Sequence, residues 1–191
     1  MDYLIIIVTS YLLGSIPFGL ILTKFFLKKD IRKIGSGNIG ATNVLRSGNK
    51  LIGYSTLLLD ILKAILPVLY IKFYYPDFIY ISSLSVFLGH VFPIWLKFDG
   101  GKGVATYVGI LFSINFIYGL VFGITWLIIF LFSKYSSLSS LLGSISIPVY
   151  LFFFDGDKIV FFIIMFVLIF YTHRENIKRL KNKEENKTKI Y

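Results

Sequence analysis

The chain has 191 residues, of which 56% are hydrophobic and only 16% are charged, and its mean hydropathy is +0.77. This composition excludes a soluble globular domain, because several segments approach the roughly 20 apolar residues that cross a bilayer core. The chain contains no cysteine, which excludes disulfides, thiolate catalysis and zinc–sulfur sites. Its two histidines are too few for a His-rich metal centre, and we expect no metal.

The formal net charge of +10 is the one feature that suggests a nucleic-acid partner. The basic residues, however, lie between and after the apolar runs rather than along one face of a polar domain. Membrane topology explains that placement better than DNA or RNA binding does. We therefore expect lipid, and no nucleic acid, around the chain.

The first apolar run, Tyr3–Phe26, predicts a membrane helix that is retained. A cleaved secretory signal would begin with basic residues, whereas this chain begins Met-Asp-Tyr and its first lysines, Lys24, Lys28 and Lys29, come after the apolar stretch that ends at Leu22. The N-terminus is therefore predicted to lie outside. The further runs, in chain order, are Leu51–Tyr75, Phe78–Leu96, Val104–Phe132, Leu138–Phe154 and Ile159–Tyr171.

The run Val104–Phe132 is ambiguous, since it fits either one long tilted helix or a short hairpin that turns near Asn115. The positive-inside bias decides between them. This bias places two basic blocks in the cytoplasm, so the C-terminus is cytoplasmic while the N-terminus is outside. Such an arrangement requires an odd number of crossings, and the run Val104–Phe132 is therefore predicted to be a hairpin. The blocks are Lys24, Lys28, Lys29, Arg32, Lys33, Arg46 and Lys50, and Arg174, Lys178, Arg179, Lys181, Lys183, Lys187 and Lys189.

The predicted fold is therefore an all-α integral membrane protein with seven transmembrane helices, N-terminus outside and C-terminus cytoplasmic. Residues 1–180 form one membrane domain, and residues 181–191 form a short polar, basic cytoplasmic tail that is frayed or lies on anionic lipid. Proline predicts kinks or helix ends at Pro17, Pro67, Pro93 and Pro148, and Pro76 falls in an outer loop.

Three polar clusters interrupt this apolar chain, and the seven-helix topology places all three on the cytoplasmic side. The first is Gly35-Ser-Gly-Asn-Ile-Gly-Ala-Thr-Asn-Val-Leu-Arg46. Its glycines permit positive φ angles and an anion-binding nest of backbone amides, and Arg46 can hold phosphate bidentately. The alternative is a glycine-rich turn with helix caps. The candidate ligands are Gly35, Ser36, Gly37, Asn38, Gly40, Thr42, Asn43 and Arg46.

The second cluster, Asp99-Gly-Gly-Lys-Gly103, looks like the end of a nucleotide P-loop but lacks the full spacing and the Ser/Thr after the lysine. It also abuts a membrane span, which argues against a nucleotide fold. The amides of Gly101 and Gly103 with the Lys102 ammonium still suit a phosphate monoester. A tight inter-helix turn is the alternative.

The third cluster, Thr172-His-Arg-Glu-Asn-Ile-Lys-Arg179, follows the last span. His173 titrates near neutral pH and is a candidate base or hydrogen-bond donor, and Asn176 at i+3 shares its helical face. The alternative is an interfacial helix end with Glu175 paired to Arg179. A loop over Ser136–Ser140 could cap the next helix or supply hydroxyls to an anion.

Two further polar signals lie within the spans. Asp60 and Lys63 stand at i, i+3 and are predicted to pair with each other, as a structural anchor in the bundle interior. His90, in Gly-His-Val-Phe-Pro, either lines the pocket or hydrogen-bonds a carbonyl. Together the polar clusters predict one cytoplasmic-face site for a phosphorylated substrate.

In this order, the clusters resemble those of the bacterial acyl-phosphate:glycerol-3-phosphate acyltransferases, the PlsY family. Each motif is weak alone, but the combination is specific and covers essentially the whole chain. Ala64 departs from the glycine expected after the intramembrane lysine, which affects packing only. The motifs that carry the resemblance are Gly14–Pro17, Gly35–Arg46, Asp60 with Lys63, Gly89–Pro93, Gly100–Ala105, the Ser-Leu-Ser-Ser run and His173–Ile177.

The resemblance implies seven helices, an outside N-terminus and an active site at the cytoplasmic face of the bacterial cell membrane. It also implies transfer of a fatty acyl group from acyl phosphate to the sn-1 hydroxyl of glycerol 3-phosphate, giving lysophosphatidic acid, the first step of phospholipid biosynthesis. By motif, Ser36, Arg46, His173 and Asn176 match catalytic positions, and Gly101, Lys102 and Gly103 match the glycerol 3-phosphate site. Ser140 aligns best with a phosphate-contacting serine, Ser137 is a further pocket candidate, and Glu175 looks structural.

An acyl phosphate donor is already activated, so we expect no cofactor, no metal and no covalent nucleophile. The expected partners are the two substrates and membrane lipid. We expect the protein to be a monomer. Either His173 or a substrate phosphate oxygen takes the proton. A small-anion or phosphate-ester transporter is the alternative function, since it could also use glycine loops and cations at broken helices.

Overall fold

The computed structural model describes residues 3–188 of the chain. Over that range the regular secondary structure is entirely helical, which confirms the predicted all-α class, and short loops and single 3-10 turns join the α-helices. The helices are α1 Tyr3–Gly14, α2 Phe18–Leu27, α3 Ala41–Arg46, α4 Lys50–Tyr74, α5 Ile79–Val91, α6 Val104–Ile114, α7 Phe116–Ser133, α8 Ser136–Phe154, α9 Ile159–Thr172 and α10 Arg174–Lys181.

The chain separates into two compact units, one ending at Ile114 and the other beginning at Asn115. Helices α1 to α6 belong to the first unit, and α7 to α10 belong to the second. The predicted single domain over residues 1–180, with a tail at 181–191, stays a prediction.

Large apolar side chains are exposed along the helices of both units. Phe132 is 87% exposed, and Phe73 and Leu51 are each 74% exposed. In water such surfaces would drive association, whereas lipid solvates them at no cost. The outside of these helices therefore has the character of a lipid-facing surface.

By length and composition, four segments within residues 3–188 suffice to cross a membrane, or five if one bent pair counts as a span. The bent pair is Gly156–Thr172 with Arg174–Lys181, which meet at 62°. The seven crossings and the orientation of the termini stay predictions. The four segments are Tyr3–Leu27, Pro76–Leu96, Phe116–Ser133 and Ser136–Phe154.

In the first unit, α1 packs closely against α5 through small residues. A Cβ added to Gly14 would overlap the Val86 carbonyl, and one added to Gly89 would overlap the backbone of α1. The hydroxyls of Ser10 and Ser82 form a buried hydrogen bond of 2.9 Å between the same helices. Membrane helices associate through this combination of close backbone approach and interhelical hydrogen bonds. Helix α4 packs against α1, α5 and α6.

Pro17 and Pro93 lie at helix boundaries, as predicted, whereas Pro67 and Pro148 lie inside helices, so kinks at these two positions stay predictions. The first span is broken between α1 and α2, and Pro17 is the residue before α2. Pro67 and Pro148 lie inside α4 and α8, Pro93 follows α5, and Pro76 begins a 3-10 turn.

The predicted interruption at Asn115 is also confirmed. The Asn115 side chain accepts a hydrogen bond from the Ile117 amide at 2.9 Å and caps the N-terminus of α7. The preceding helix, α6, ends on the carbonyls of Ser113 and Ile114, which accept hydrogen bonds from Lys72 Nζ at 2.8 and 3.0 Å. A side-chain cap therefore starts one helix at Asn115, and an ammonium satisfies the end of the other.

In the second unit, α8 packs against α7 and α9, and α10 contacts both α8 and α9. The predicted loop over Ser136–Ser140 is wrong, because these residues form the first turns of α8. The hydroxyls of Ser139 and Ser140 donate to the carbonyls of Tyr135 and Ser136 at 2.9 and 2.8 Å. Hydroxyls that bond back to the i−4 carbonyl are accommodated within a helix.

The expectation of a frayed tail is wrong for its described part. Glu185 is only 9% exposed, and the Thr188 amide donates to the Lys134 carbonyl at 2.9 Å. The segment after α10 therefore docks on its own unit, because its one buried carboxylate finds polar partners there. Lys189 lies outside the described residues.

Candidate active site

The first motif forms a loop with two left-handed glycines and ends in the short helix α3. Gly35 and Gly37 have φ of 57° and 73°, a region that L-residues adopt only with strain. A Cβ on Gly35 would also overlap Asn43 Oδ1. Glycine is required at Gly35 both for its backbone conformation and for the space that it leaves.

Asn43 organises this loop from within. Its Oδ1 accepts a hydrogen bond from the Ser36 amide at 2.9 Å. Its Nδ2 donates to the carbonyls of Asn38 and Ile34 at 2.8 and 2.9 Å, and to that of Ile31 at 3.2 Å. The buried amide is thus engaged by the backbone of the loop, which gives Asn43 an organising role.

Ser36 and Arg46, the two predicted catalytic residues of this motif, are both exposed. Asn38 is half-buried, and its Oδ1 accepts a hydrogen bond from the Gly40 amide at 2.9 Å. Gly40 is the residue before α3. The loop therefore presents one hydroxyl and one guanidinium at its surface, while the two asparagines hold its backbone.

The second motif is fastened to the end of α5. The amides of Gly100 and Gly101 donate to the carbonyls of Val91 and His90 at 3.0 and 3.1 Å. Gly103 has φ of 83°, and a Cβ there would overlap the ring of Phe87. The loop runs directly into α6 at Val104, with the half-buried Lys102 between its glycines.

In the second unit, His173 stands at the bend between α9 and α10. Its side chain is buried, and Nδ1 lies 2.9 Å from the Ile169 carbonyl. A carbonyl can only accept, so this contact places a proton on Nδ1 and makes Nε2 the acceptor nitrogen of the neutral ring. The bend thus fixes both the orientation and the tautomer of the predicted base.

Asn176, one turn further on, is held by a carboxylate that the sequence did not single out. Glu185 Oε1 accepts hydrogen bonds from Asn176 Nδ2 at 2.7 Å and Ser137 Oγ at 2.8 Å, and Oε2 pairs with Arg179 Nε at 2.7 Å. Burial raises the pKa of Glu185, but the hydrogen bonds from Arg179, Asn176 and Ser137 outweigh it and hold the pKa below its ordinary value. The site therefore contains an ionised Glu185 at neutral pH.

This arrangement corrects the alternative reading of the third cluster. Arg179 pairs with Glu185, and Glu175 is exposed, so the expected Glu175–Arg179 pair is wrong. The one feature of the sequence that could have indicated Glu185 is that it is a carboxylate within a basic tail. Its position in a segment read as frayed concealed its role.

The structure separates the two candidate serines. Ser137 shares the Glu185 carboxylate with Asn176, whereas the buried Ser140 hydroxyl donates to the Ser136 carbonyl and accepts from Trp126 Nε1 at 3.2 Å. Of the two, only Ser137 is joined to a predicted catalytic residue through a common partner.

The predicted pairing within α4 is confirmed. Lys63 Nζ lies 2.8 Å from Asp60 Oδ1, and both side chains are buried among helices of the first unit. His90 is also buried, with Nδ1 3.8 Å from the same carboxylate oxygen. Within residues 3–188, no group of three or more His, Cys, Asp or Glu side chains is arranged to hold a metal ion.

Comparison with known proteins identifies the family. The family profile described as glycerol-3-phosphate acyltransferase matches residues 4–183. The chain belongs to the glycerol-3-phosphate acyltransferase family. A glycerol-3-phosphate acyltransferase of Pelagibacter ubique is 76% identical over 191 residues, covering 100% of both chains. One of Mesorhizobium japonicum is 48% identical over 182 residues, covering 95% of this chain and 93% of the relative.

Solved structures support the same assignment. A crystal structure of PlsY, an integral membrane glycerol 3-phosphate acyltransferase, in its glycerol 3-phosphate form matches with a TM-score of 0.91 and 38% identity, over 97% of this chain and 94% of that one. Its lysophosphatidic acid form matches with a TM-score of 0.89 and 37% identity, over the same shares of the two chains. The resemblance to the PlsY family is confirmed, the chain is a multi-pass membrane protein, and the transporter alternative is not favoured.

Proposed function

We propose that this protein transfers a fatty acyl group from acyl phosphate to the sn-1 hydroxyl of glycerol 3-phosphate, giving lysophosphatidic acid and phosphate. The observation that carries the proposal is the match, over nearly the whole chain, to an acyltransferase in forms named for the acceptor and for the acylated product. The identity of the donor is what the resemblance to the PlsY family implies, and the chemistry of the site is compatible with it.

An acyl phosphate suits the residues present, because it is a mixed anhydride with phosphate as a good leaving group. The sn-1 oxygen attacks the carbonyl carbon and forms the new C–O ester bond. The bond between that carbon and the phosphate oxygen breaks, and its electron pair leaves with the phosphate. Such a reaction needs positioning and charge neutralisation rather than a covalent enzyme intermediate.

The residues of the first unit supply the cationic and amide groups that two anionic substrates require. Arg46 is a bidentate partner for phosphate, and Lys102 is a point charge among backbone amides. The Ser36 hydroxyl is presented on a loop whose shape Asn43 maintains. We assign Lys102, with Gly101 and Gly103, to the phosphate of glycerol 3-phosphate, and Ser36 and Arg46 to the reacting groups.

The residues of the second unit act on the proton and on orientation. His173 carries its acceptor nitrogen at Nε2 because Nδ1 is committed to Ile169. It accepts the proton of the attacking hydroxyl, unless an oxygen of the substrate phosphate does so first. Asn176, oriented by Glu185, donates its second Nδ2 hydrogen to a substrate oxygen. Ser137 Oγ gives its proton to Glu185 and accepts a hydrogen bond from a substrate hydroxyl.

The proposal includes the topology derived from charge: seven crossings, N-terminus outside, C-terminus cytoplasmic and an active site at the cytoplasmic face of the cell membrane. The break at Asn115 supports it, because it divides the run Val104–Phe132 into the two helices that the count needs. Labelling of single cysteines, which the natural chain lacks, tests it. Residues 48 and 182 should be shielded from an impermeant reagent in intact cells, and residue 156 should react.

The donor is tested with purified protein and labelled glycerol 3-phosphate, offering palmitoyl phosphate, palmitoyl-CoA and an acyl carrier protein thioester separately. Lysophosphatidic acid from the acyl phosphate alone is the expected result. Product from a thioester would keep the acyltransferase and overturn the donor. No product from any donor with folded protein would remove the enzyme reading.

The base is tested with His173→Gln, which removes the titrating group and keeps a polar side chain. If histidine takes the proton, turnover falls and its dependence on pH near neutrality disappears. Near-normal turnover with an unchanged pH profile would assign the proton to the substrate phosphate. An acylated Ser36 trapped from acyl phosphate in the absence of acceptor would contradict direct transfer.

A further inference from the structure

Three ionisable side chains in the first unit, Asp60, Lys63 and His90, form a buried polar cluster that the proposed reaction does not use. Each side chain is at most 4% exposed. Lys63 Nζ is 2.8 Å from Asp60 Oδ1 and donates to the Ile16 carbonyl at 2.8 Å. Ionisable groups are costly to bury, and in membrane proteins those inside a helix bundle commonly serve function or anchor the structure.

His90 connects this cluster to the Gly100–Gly103 loop. Its Nδ1 faces Asp60 Oδ1 at 3.8 Å, while its Nε2 lies so close to Gly101 that a Cβ there would overlap it. The His90 carbonyl accepts the Gly101 amide at 3.1 Å. His90 thus contacts Gly101, the residue before Lys102, in two ways: its imidazole packs against the glycine, and its carbonyl accepts the glycine amide.

The same cluster reaches the break between α1 and α2. Lys63 caps the Ile16 carbonyl there, and Ser15 Oγ accepts a hydrogen bond at 2.7 Å from Trp95, in the segment that leads to the glycine loop. From the break, the chain continues through α2 to the first motif. Helix α2 also packs against that motif, because a Cβ on Gly19 would overlap the Ile39 carbonyl. The buried polar cluster therefore lies beside the α1–α2 break, which connects through α2 to the first glycine motif and through Trp95 to the second.

We propose that Asp60, Lys63 and His90 are positioning residues that hold the Gly100–Gly103 loop in the conformation in which it binds the phosphate of glycerol 3-phosphate. The inference rests on the proposed function, since it assigns a role in the binding of that acceptor. Asp60 orients the imidazole, Lys63 anchors Asp60 to the α1–α2 break, and His90 fixes Gly101. The acyl donor has no direct place in this chain of contacts.

The first test compares His90→Ala, His90→Gln and the matched control Ser83→Ala in purified full-length protein. Ser83 is a buried residue of the same helix whose hydroxyl has no hydrogen-bond partner among residues 3–188. His90→Ala raises the KM for glycerol 3-phosphate about tenfold, the effect of a small displacement of binding groups. The KM for acyl phosphate is unchanged. His90→Gln, whose amide reaches the position of Nε2, restores most of the affinity, and Ser83→Ala leaves both KM values at wild type.

The second test uses the steric contact itself. Gly101→Ala puts a methyl group into the imidazole and raises the KM for glycerol 3-phosphate, whereas the double variant Gly101→Ala/His90→Ala accommodates that methyl and binds better than either single variant. This coupling is specific to a contact that sets the loop. The charged pair is tested by Asp60→Asn/Lys63→Met, which leaves no lone buried charge and raises the same KM.

Three results would overturn the inference, two of them in the His90→Ala protein. One is an unchanged KM for glycerol 3-phosphate in an active His90→Ala protein; the other is a fall in kcat with equal rises in both KM values, which describes a general loss of structure. Strictly multiplicative effects in the Gly101→Ala/His90→Ala double variant would also contradict it. A folded wild-type protein that makes no lysophosphatidic acid would overturn the proposed function instead, so the two failures are distinguishable.

Discussion

Replacing Glu185 by glutamine tests whether the docked tail is part of the active site. The carboxylate accepts from Asn176, Ser137 and Arg179 at 2.7, 2.8 and 2.7 Å. A glutamine amide can accept at one of its two ends only, so its NH₂ group must face a donor, either Arg179 or the Asn176–Ser137 pair. At least one charge-assisted hydrogen bond is lost, which costs about 2 kcal/mol.

A loss of about 2 kcal/mol reduces the ratio of docked to undocked tail about thirtyfold. Lys183 and Lys187 are exposed trypsin sites within the docked segment, and their cleavage follows the undocked fraction when opening is fast. We expect cleavage of the Glu185→Gln tail to accelerate by up to about thirtyfold, and turnover to fall because Asn176 loses its orienting partner. Cleavage is measured by intact mass, and turnover by lysophosphatidic acid formation.

The matched control is Glu184→Gln, which makes the same chemical change at the neighbouring, exposed carboxylate. It should cleave and turn over like the wild type. A Glu185→Gln protein with wild-type turnover would refute the reasoning, because Asn176 would then be oriented without Glu185. Faster cleavage with unchanged turnover would show that the tail docks without serving the reaction.

Three further predictions follow from the contacts described above. Lys102→Met should raise the KM for glycerol 3-phosphate about tenfold or more, the value of a lost ionic hydrogen bond, and initial rates should show a smaller effect on the KM for the donor. Gly14→Val should lower the thermal unfolding temperature in detergent, since the added carbons overlap the Val86 carbonyl and overpacking costs about 1–3 kcal/mol; Gly123→Ala, with open space around the site, should not. The pKa of Glu185 is held below its ordinary value of 4.5, so the ionised carboxylate stabilises the docked tail above that pH and loses this contribution as the pH falls through the lower folded value. Amide exchange of residues 182–188, corrected for its intrinsic pH dependence, should therefore rise on acidification in the wild type and be insensitive to it in Glu185→Gln.

The elements of the fold that a single residue determines were predictable from the sequence. Asn115 is the one strongly polar side chain inside the run Val104–Phe132, and it proved to be a helix cap. Pro17 breaks the first span because it cannot continue the hydrogen-bond ladder. Asp60 and Lys63 pair because i, i+3 residues meet on one helical face. Each of these rules is local.

What depends on contacts distant along the chain was missed. Glu185 meets Ser137 across 48 positions, and no periodicity or spacing reports such a contact. The serines of α8 were read as a loop from their polarity, although their hydroxyls bond back along the helix. The contact between His90 and Gly101 could not be predicted without the conformation of the turn after α5. Tertiary docking, rather than local propensity, decided the contacts of Glu185 and His90. The serines follow a local i−4 pattern, which their polarity alone did not reveal.

Formation of lysophosphatidic acid by the purified protein is the most direct test of the proposed function. Purified protein in detergent is incubated with a long-chain acyl phosphate and glycerol 3-phosphate, and both products are quantified by mass spectrometry against heat-denatured protein. We expect lysophosphatidic acid and phosphate in equal amounts, only when both substrates are present. Folded protein that releases phosphate without lysophosphatidic acid, or forms neither product, would contradict it.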